Sequence, residues 1–310
     1  MASIRDLLLP ADDRNGAGAV VKKEDEDAKT DVTSGTARFV VEFILDVICP
    51  YCYIGFKNLK AAIETYRVRH PEAVFEIVCL PFLLHPLADR SASSVEPSYG
   101  KPTSSYPTNK PVTQLTTLHI AYDKSDYLIS RTRGPEHWVG LGEAAGINFT
   151  WTGRTGSTRD AHKLLRFALE STPTPTRGGR NNRGAPTPSS RVTNGSTPIH
   201  GPAVQLRLLE ALFRAHHESD GDISDPSFLA STTSAVTGFT TARIRHVLED
   251  ESGEWKRAVD ALVAQVSSPR GLAVRAVPTF VVNDRYVIGG VQSAEFLVEE
   301  FGRIRRGGAR

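Results

Sequence analysis

Two of the chain's three cysteines stand three positions apart in the stretch Ile48–Gly55, ICPYCYIG, with Pro50 and Tyr51 between them. That spacing admits three chemistries: a redox dithiol, two ligands of a metal ion, or two buried thiols. Structural zinc needs four nitrogen or sulfur ligands, and neither a second CxxC nor a His-x3-5-His partner follows. Cys79 and His85 are the residues that could complete such a set, and the chain is read without a metal site. Cys79 itself lies in an apolar run, VFEIVCLPFLL. It reads as a small core residue, with a regulatory disulfide to the pair as the other option.

The elements around the pair favour the redox chemistry. RFVVEFILDVIC, Arg38 to Cys49, is rich in Val, Ile and Phe with few polar breaks, the pattern of a central strand covered on both faces. From Pro50 onward, Ile54, Leu59, Ala62, Ile63 and Tyr66 recur near helical spacing until His70 and Pro71 stop them. Val74 to Leu84 is again strand-like. The pair thus falls at a strand-to-helix junction, with Cys49 at the N-cap and Pro50 at the first helical position, where its missing N–H costs nothing. The positive end of the helix dipole favours a thiolate on Cys49, the nucleophilic form. Cys52, one turn inward on the same face, can attack a mixed disulfide formed on Cys49. In this reading Cys49 attacks, Cys52 resolves, and Pro50 and Tyr51 tune the pair. A second signal is the run VPTF: a cis Val277–Pro278 bond would bring its backbone beside the cysteines, where Val277, Pro278 and Thr279 could receive an extended substrate. The alternative is an ordinary loop proline.

Further along, Ala161, Leu164, Leu165, Ala168 and Leu169 form a helical stripe with Ser157 or Thr158 as N-cap, and Val204, Leu208, Leu212 and Ala215 form another. His216 and His217 read as a solvated helix end. DGDISD, Asp220 to Asp225, reads as a helix-to-helix turn, because it lacks the glycine and final glutamate of an EF-hand loop. Near the C-terminus, Phe280–Val282 and Tyr286–Ile288 flank Asn283-Asp284, a hairpin signal. Ser293 then caps a helix whose Phe296, Leu297, Glu300 and Phe301 are read as one face. The expected organisation is a disordered tail over 1–37, a β-α-β part over 38–87, a linker over 88–113, a helical domain over 114–270, a β-β-α part over 271–304 and a basic tail over 305–310. Within the helical domain, 171–201 is Thr, Pro, Gly, Arg, Ser and Asn without apolar period, a flexible insertion. This is an α/β chain with a thioredoxin fold interrupted by an inserted all-helical domain.

The 310 residues are enough for a hydrophobic core without staples. With 37 basic and 35 acidic side chains the formal charge is +2, so no single-sign field points to nucleic acid or a membrane surface as partner. No apolar run approaches the ~20 residues of a membrane span. The apolar run Leu7–Pro10 is too short for a signal segment. The expected compartment is the reducing cytoplasm, where a cysteine pair is catalytic or metal-binding more often than structural. The oligomeric state stays open.

DVICPYCYIG, Asp46 to Gly55, and VPTFVVNDRYVIGGVQ, Val277 to Gln292, resemble the FrnE-type branch of the DsbA family of thioredoxin-fold proteins. GINF at Gly146–Phe149, TRDAHKLL at Thr158–Leu165 and EALFRA at Glu210–Ala215 are similar too, and the likeness runs from about Phe39 to Ile304 outside the insertion. The resemblance implies a thiol–disulfide oxidoreductase with Cys49 nucleophilic, Cys52 resolving and Val277–Pro278 as a cis-proline platform. It also matches His162 to a groove-facing histidine, the alternative being a partly buried helix residue without chemical duty. Isomerases of 2-hydroxychromene-2-carboxylate and kappa-class glutathione transferases share the architecture but typically carry serine at the first motif position, which here is Cys49. The sequence departs from the family pattern at Ala276, where glycine is usual, at Ser157, where asparagine is common, and in the insertion. The expected substrate is a disulfide- or thiol-containing protein or small molecule. No tightly bound cofactor is expected, with glutathione as an optional co-substrate. Two rival readings are a glutathione-dependent transferase or isomerase, and a non-catalytic binding or chaperone-like module.

Overall fold

The computed structural model describes residues 37–86, 88, 122–123, 135–150, 154–170, 200–250 and 253–307. Nearly all of the tail read over 1–37, nearly all of the linker over 88–113, nearly all of the insertion over 171–201 and the end of the basic tail lie outside these residues.

Strand β1 (Arg38–Leu45) occupies the middle of a four-stranded sheet ordered β2-β1-β5-β6. β2 (Val74–Pro81) pairs with it in parallel, β5 (Thr279–Val282) antiparallel, and β6 (Tyr286–Gly289) antiparallel to β5. All of Phe39–Leu45 is buried, as the apolar run requires. Alternation divides these residues between two faces. Phe39, Val41, Phe43 and Leu45 join the core that includes α1 (Pro50–Arg69) and α8 (Ala294–Arg305), whereas Ile44 joins Val78, Leu80 and Val281 beneath Leu262 and Val266 of α7 (Glu254–Ser267). The strand is shorter than the Arg38–Cys49 run: Val47 and Ile48 are buried in a turn, outside the ladder. Apolar composition marks burial, and burial does not require pairing.

In α1, Ile54, Leu59, Ala62, Ile63 and Tyr66 are buried, and the helix ends where the His70 N–H bonds the Tyr66 carbonyl. The hairpin between β5 and β6 turns at Asn283 and Asp284, whose φ values of 54° and 56° are left-handed conformations that these two residue types tolerate. The Ser293 hydroxyl caps α8 by accepting from the Phe296 N–H at 3.2 Å. The buried face of α8 is Leu297, Phe301 and Ile304, spaced i, i+4, i+7. Phe296 is 40% exposed and Glu300 pairs with Arg303, so the helix is rotated from the face expected over Phe296–Phe301.

Between the two sheet-forming segments lie α2 (Pro135–Ala145), α3 (Arg159–Glu170), α4 (Pro202–Glu218), α5 (Pro226–Thr237), α6 (Thr241–Glu249) and α7, with a short ribbon of β3 (Tyr122–Asp123) and β4 (Arg154–Thr155). The Thr158 carbonyl accepts the first intrahelical bond of α3, from the His162 N–H at 3.0 Å. Ala161, Leu164, Leu165 and Ala168 of α3 and Val204, Leu208 and Leu212 of α4 are buried in the same apolar cluster as α1. The Gln205 side chain of α4 accepts from the Cys79 N–H at 2.8 Å and donates to the Cys79 carbonyl at 3.3 Å, taking the place of a neighbouring strand along the edge of β2. Among the described residues no helix is long and apolar enough to cross a membrane.

Candidate active site

The loop from β1 into α1 is built around Asp46. Its carbonyl accepts from the Cys49 N–H at 3.1 Å, and its Oδ2 accepts from the Leu84 N–H at 2.7 Å, tying the loop to the segment beyond β2. Cys49 follows as the N-cap of α1 with extended dihedrals, φ −83° and ψ 112°, and Pro50 takes the first helical position. The Cys49 carbonyl accepts from the N–H groups of Cys52 and Tyr53. No acidic side chain occupies the first turn, so nothing there opposes the positive end of the dipole. All three cysteines are free thiols. Cys49 is 4% exposed, Pro50 is buried and Tyr51 is half-buried.

The VPTF run is brought to the same place by strand register. Thr279, the first residue of β5, pairs with Ile44 near the end of β1, so Val277 and Pro278 emerge beside the redox loop. The Val277–Pro278 peptide is cis. The Val277 carbonyl lies 3.9 Å from Cys49 Sγ, a long thiol-to-carbonyl contact. The Pro278 carbonyl accepts from the Gly290 N–H at 2.8 Å, and the Thr279 hydroxyl donates to the Ala276 carbonyl at 2.9 Å. Thr279 is buried and its hydroxyl is spent locally. Gly55 lets α1 approach this segment: a Cβ there would stand 3.1 Å from Pro278 Cγ and 3.4 Å from Phe280. Gly55 closes the DVICPYCYIG motif without a role assigned to it there, and Asn58, whose amide donates to the Gln292 carbonyl at 2.8 Å, carries no sequence signal.

Beneath Cys49 the surroundings are fully buried. Burial pushes the Cys52 thiol well up, the Cys49 sulfur adds to that rise, the Asp46 main chain lowers it through a hydrogen bond, and the Asp46 charge raises it. His162, expected at the groove, is instead 3% exposed, and its Nε2 faces Asp46 Oδ1 at 3.5 Å. The α3 stripe of Ala161, Leu164, Leu165 and Ala168 packs inward and carries His162 with it. Asp46 opens the DVICPYCYIG motif, but the motif assigns it no role. The available signal is a pair of carboxylates, Glu42 and Asp46, inside a mostly apolar run, since a carboxylate buried there has to find a partner.

A second cluster supports the loop from α4. His217 Nε2 lies 3.0 Å from the Val47 carbonyl, its ring stacks on Tyr53 at 5.7 Å, and the Tyr53 hydroxyl donates to Glu218. Burial, followed by Glu218, pushes the Tyr53 phenol far up. His216 and His217, read from sequence as a solvated helix end, are therefore buried, at 1% and 0% exposure. They are drawn in because α4 ends against the redox loop, and polar residues there find main-chain partners; His216 Nδ1 meets the Gly221 carbonyl at 2.9 Å. In the turn that follows, Asp222 accepts from the Ser224 N–H and Asp225 caps α5. Cys79 is buried and its thiol is pushed up by burial alone. Among the described residues no group of three or more His, Cys, Asp or Glu could hold a metal ion.

No protein-family model matches the chain, and no curated protein does. Solved structures do. A probable DsbA oxidoreductase from Streptomyces coelicolor superposes with TM-score 0.57 at 18% identity, covering 88% of this chain and 92% of that one. A Nitrosomonas europaea protein provisionally assigned as a disulfide isomerase gives TM-score 0.50 at 15% identity over 87% of this chain and 100% of that one. A 2-hydroxychromene-2-carboxylate isomerase gives TM-score 0.50 at 14% identity over 86% and 97%. At these identities the likeness is one of fold. The chain has the helix-interrupted thioredoxin fold that DsbA-type oxidoreductases share with 2-hydroxychromene-2-carboxylate isomerase.

Proposed function

We propose that the protein is a thiol–disulfide oxidoreductase of FrnE-like type, with Cys49 as nucleophile and Cys52 as resolving thiol. The observation that carries this reading is the meeting of Cys49, at the N-terminus of α1, with the cis Val277–Pro278 segment, at 3.9 Å between Sγ and the Val277 carbonyl. A thiol there has a helix N-terminus behind it and main-chain groups beside it to receive an extended substrate. The Cys49 thiolate attacks a substrate disulfide and forms a mixed disulfide, and the first substrate thiolate leaves. Cys52 then attacks Cys49 Sγ, closing the Cys49–Cys52 disulfide and releasing the second thiolate; the reverse sequence reduces the pair. The substrate is a disulfide- or thiol-bearing protein or small molecule, with glutathione as the ready co-substrate in a cytoplasmic setting. The chemistry needs no tightly bound cofactor.

The test is equilibration of the protein in glutathione buffers, followed by acid trapping and mass spectrometry. A reversible two-electron transition assigned to Cys49 and Cys52 is the expected result, Cys52→Ser accumulating a glutathione adduct on Cys49. Absence of any such disulfide at every poise would remove the redox reading. The fold likeness to an isomerase motivates a second reading, a glutathione-dependent transferase or isomerase. Activity lost in Cys49→Ser and kept in Cys52→Ser would select it.

A further inference from the structure

Main-chain groups along β2 face β1 and the opposite side by turns. The Val74 N–H donates to the Ala37 carbonyl and the Phe82 N–H to the Leu45 carbonyl, so the even-numbered residues face β1. The odd-numbered residues face outward, and β2 is an edge of the sheet. Gln205 closes that edge at Cys79. Among the described residues no partner meets the outward N–H and carbonyl of Phe75 or Ile77, although Ile77 is only 7% exposed. An edge left open in this way is a template for a further strand, and main-chain groups beside apolar surface are costly to leave unpaired.

Along this open stretch runs a groove of about 620 Å³ between α1 and α4. Ile63, Phe75, Ile77 and Leu206 give it an apolar lining. Alternation sends the side chains of Phe75 and Ile77 to the α1 side of the sheet and that of Glu76 to the other. Of the charges around the groove, Lys60 is paired with Glu210, Arg67 lies over the Phe75 ring at 5.5 Å, and Arg38 reaches Glu76 from β1. Glu64 adds a further negative charge to the rim.

We propose that this edge receives an extended segment of another protein in which a basic residue stands between two apolar ones. Laid antiparallel to β2, the segment places its apolar residues opposite Phe75 and Ile77, where they exchange main-chain bonds and send their side chains into the groove. Its Lys or Arg then lies opposite Glu76. A second copy of this chain fits worse. Two-fold pairing of β2 with itself sets Phe75 against Ile77 and Glu76 against Glu76, a contact of like charges. Moving the register by two residues calls on Cys79, which Gln205 occupies, or on Ala73, which precedes the strand. The surface is also remote from the redox loop: Phe75 pairs with Phe39 at the start of β1, about 20 Å along the strand from Leu45, with Cys49 beyond.

The experiment follows amide hydrogen exchange by NMR in the full chain, alone and with a millimolar blocked peptide, SVKVS or SVEVS, neither of which contains sulfur. Alone, the Phe75 and Ile77 amides are expected to exchange faster than those of Val78 and Cys79, which are held by β1 and Gln205. SVKVS is expected to slow the Phe75 and Ile77 amides at least about 5-fold, and to bind about 2- to 5-fold more tightly than SVEVS. Glu76→Lys should reverse that preference; should it not fold, Glu76→Gln should remove most of it. The same results are expected in Cys49→Ser, since the surface acts independently of the redox reading. Free Phe75 and Ile77 amides as slow as that of Val78 would show an edge already covered and overturn the proposal. Slowing that grows with protein concentration without peptide would assign the edge to a second copy, and overturns it too. So do protection by neither peptide, equal binding of the two, or changes confined to the Val277–Pro278 segment.

Discussion

Cys49, Cys52 and Cys79 are all buried, but in different ways. Cys49 sits at a helix N-terminus facing a main-chain carbonyl, whereas Cys52 is wholly enclosed, Cys79 is 6% exposed within β2, and burial pushes both of these thiols up. Iodoacetamide at pH 8 should therefore modify Cys49 well before the other two, as peptide mass mapping can follow; Cys79 reacting as fast as Cys49 would contradict that order. The same burial sets a pH dependence. A raised thiol keeps its proton in the folded state after the unfolded chain has lost it. The stabilisation is thus complete below the ordinary thiol value, near pH ~8.5, and falls as pH rises through it. The urea midpoint should decline above that pH, and less steeply in Cys79→Ala; a midpoint flat from pH 7 to 10 would speak against burial as the cause. The roles of Cys49 and Cys52 could be read from residue type and spacing. That of Asp46 could not, since its significance comes from His162, more than a hundred positions away in the chain.

At the scale of elements, close approach and edge protection carry the predictions. Gly55→Val puts carbon where Pro278 and Phe280 already stand at 3.1 and 3.4 Å. The expected result is a loss of about 1–3 kcal/mol in urea unfolding together with slower adduct formation at Cys49, because the helix that bears the thiol is pushed from the Val277–Pro278 segment. Gln205→Ala leaves the Cys79 N–H and carbonyl without the side chain that closes the sheet edge. A cost of about 1–3 kcal/mol is expected, with faster hydrogen exchange at the Cys79 amide as its local signature. The elements themselves were largely legible. Pro50, Asn283-Asp284 and Ser293 act through short-range rules of turn and cap, and each does so here. Misreadings arose where apolar composition was taken for geometry: Val47 and Ile48 are buried in a turn, and Phe296 is outward because α8 turns on Leu297, Phe301 and Ile304.

Over the whole molecule, the sheet and the intervening helices share one core. Phe43 and Leu45 of β1, Leu59 of α1, Leu164 of α3, Leu212 of α4 and Ile244 of α6 belong to a single apolar cluster, while α7 closes the other face through Leu262 and Val266. Unfolding of the described part should therefore be one cooperative transition, with near- and far-ultraviolet circular dichroism coinciding in urea, and Leu262→Ala should lower its stability by about 2–5 kcal/mol. Two separated transitions would show that the helices fold independently of the sheet. The α/β alternation, the strand-to-helix placement of Cys49 and Cys52, the late hairpin and the thioredoxin-type order of elements can be read from residue order, because propensity, capping and turn chemistry act over a few residues. Long-range packing turns His162 inward to Asp46, buries His216 and His217 where α4 meets the redox loop, and lets Gln205 close the edge of β2. Each of these depends on which face a helix presents to a partner distant in the chain, and that choice is made by packing the whole core, where a buried polar group must meet its complement.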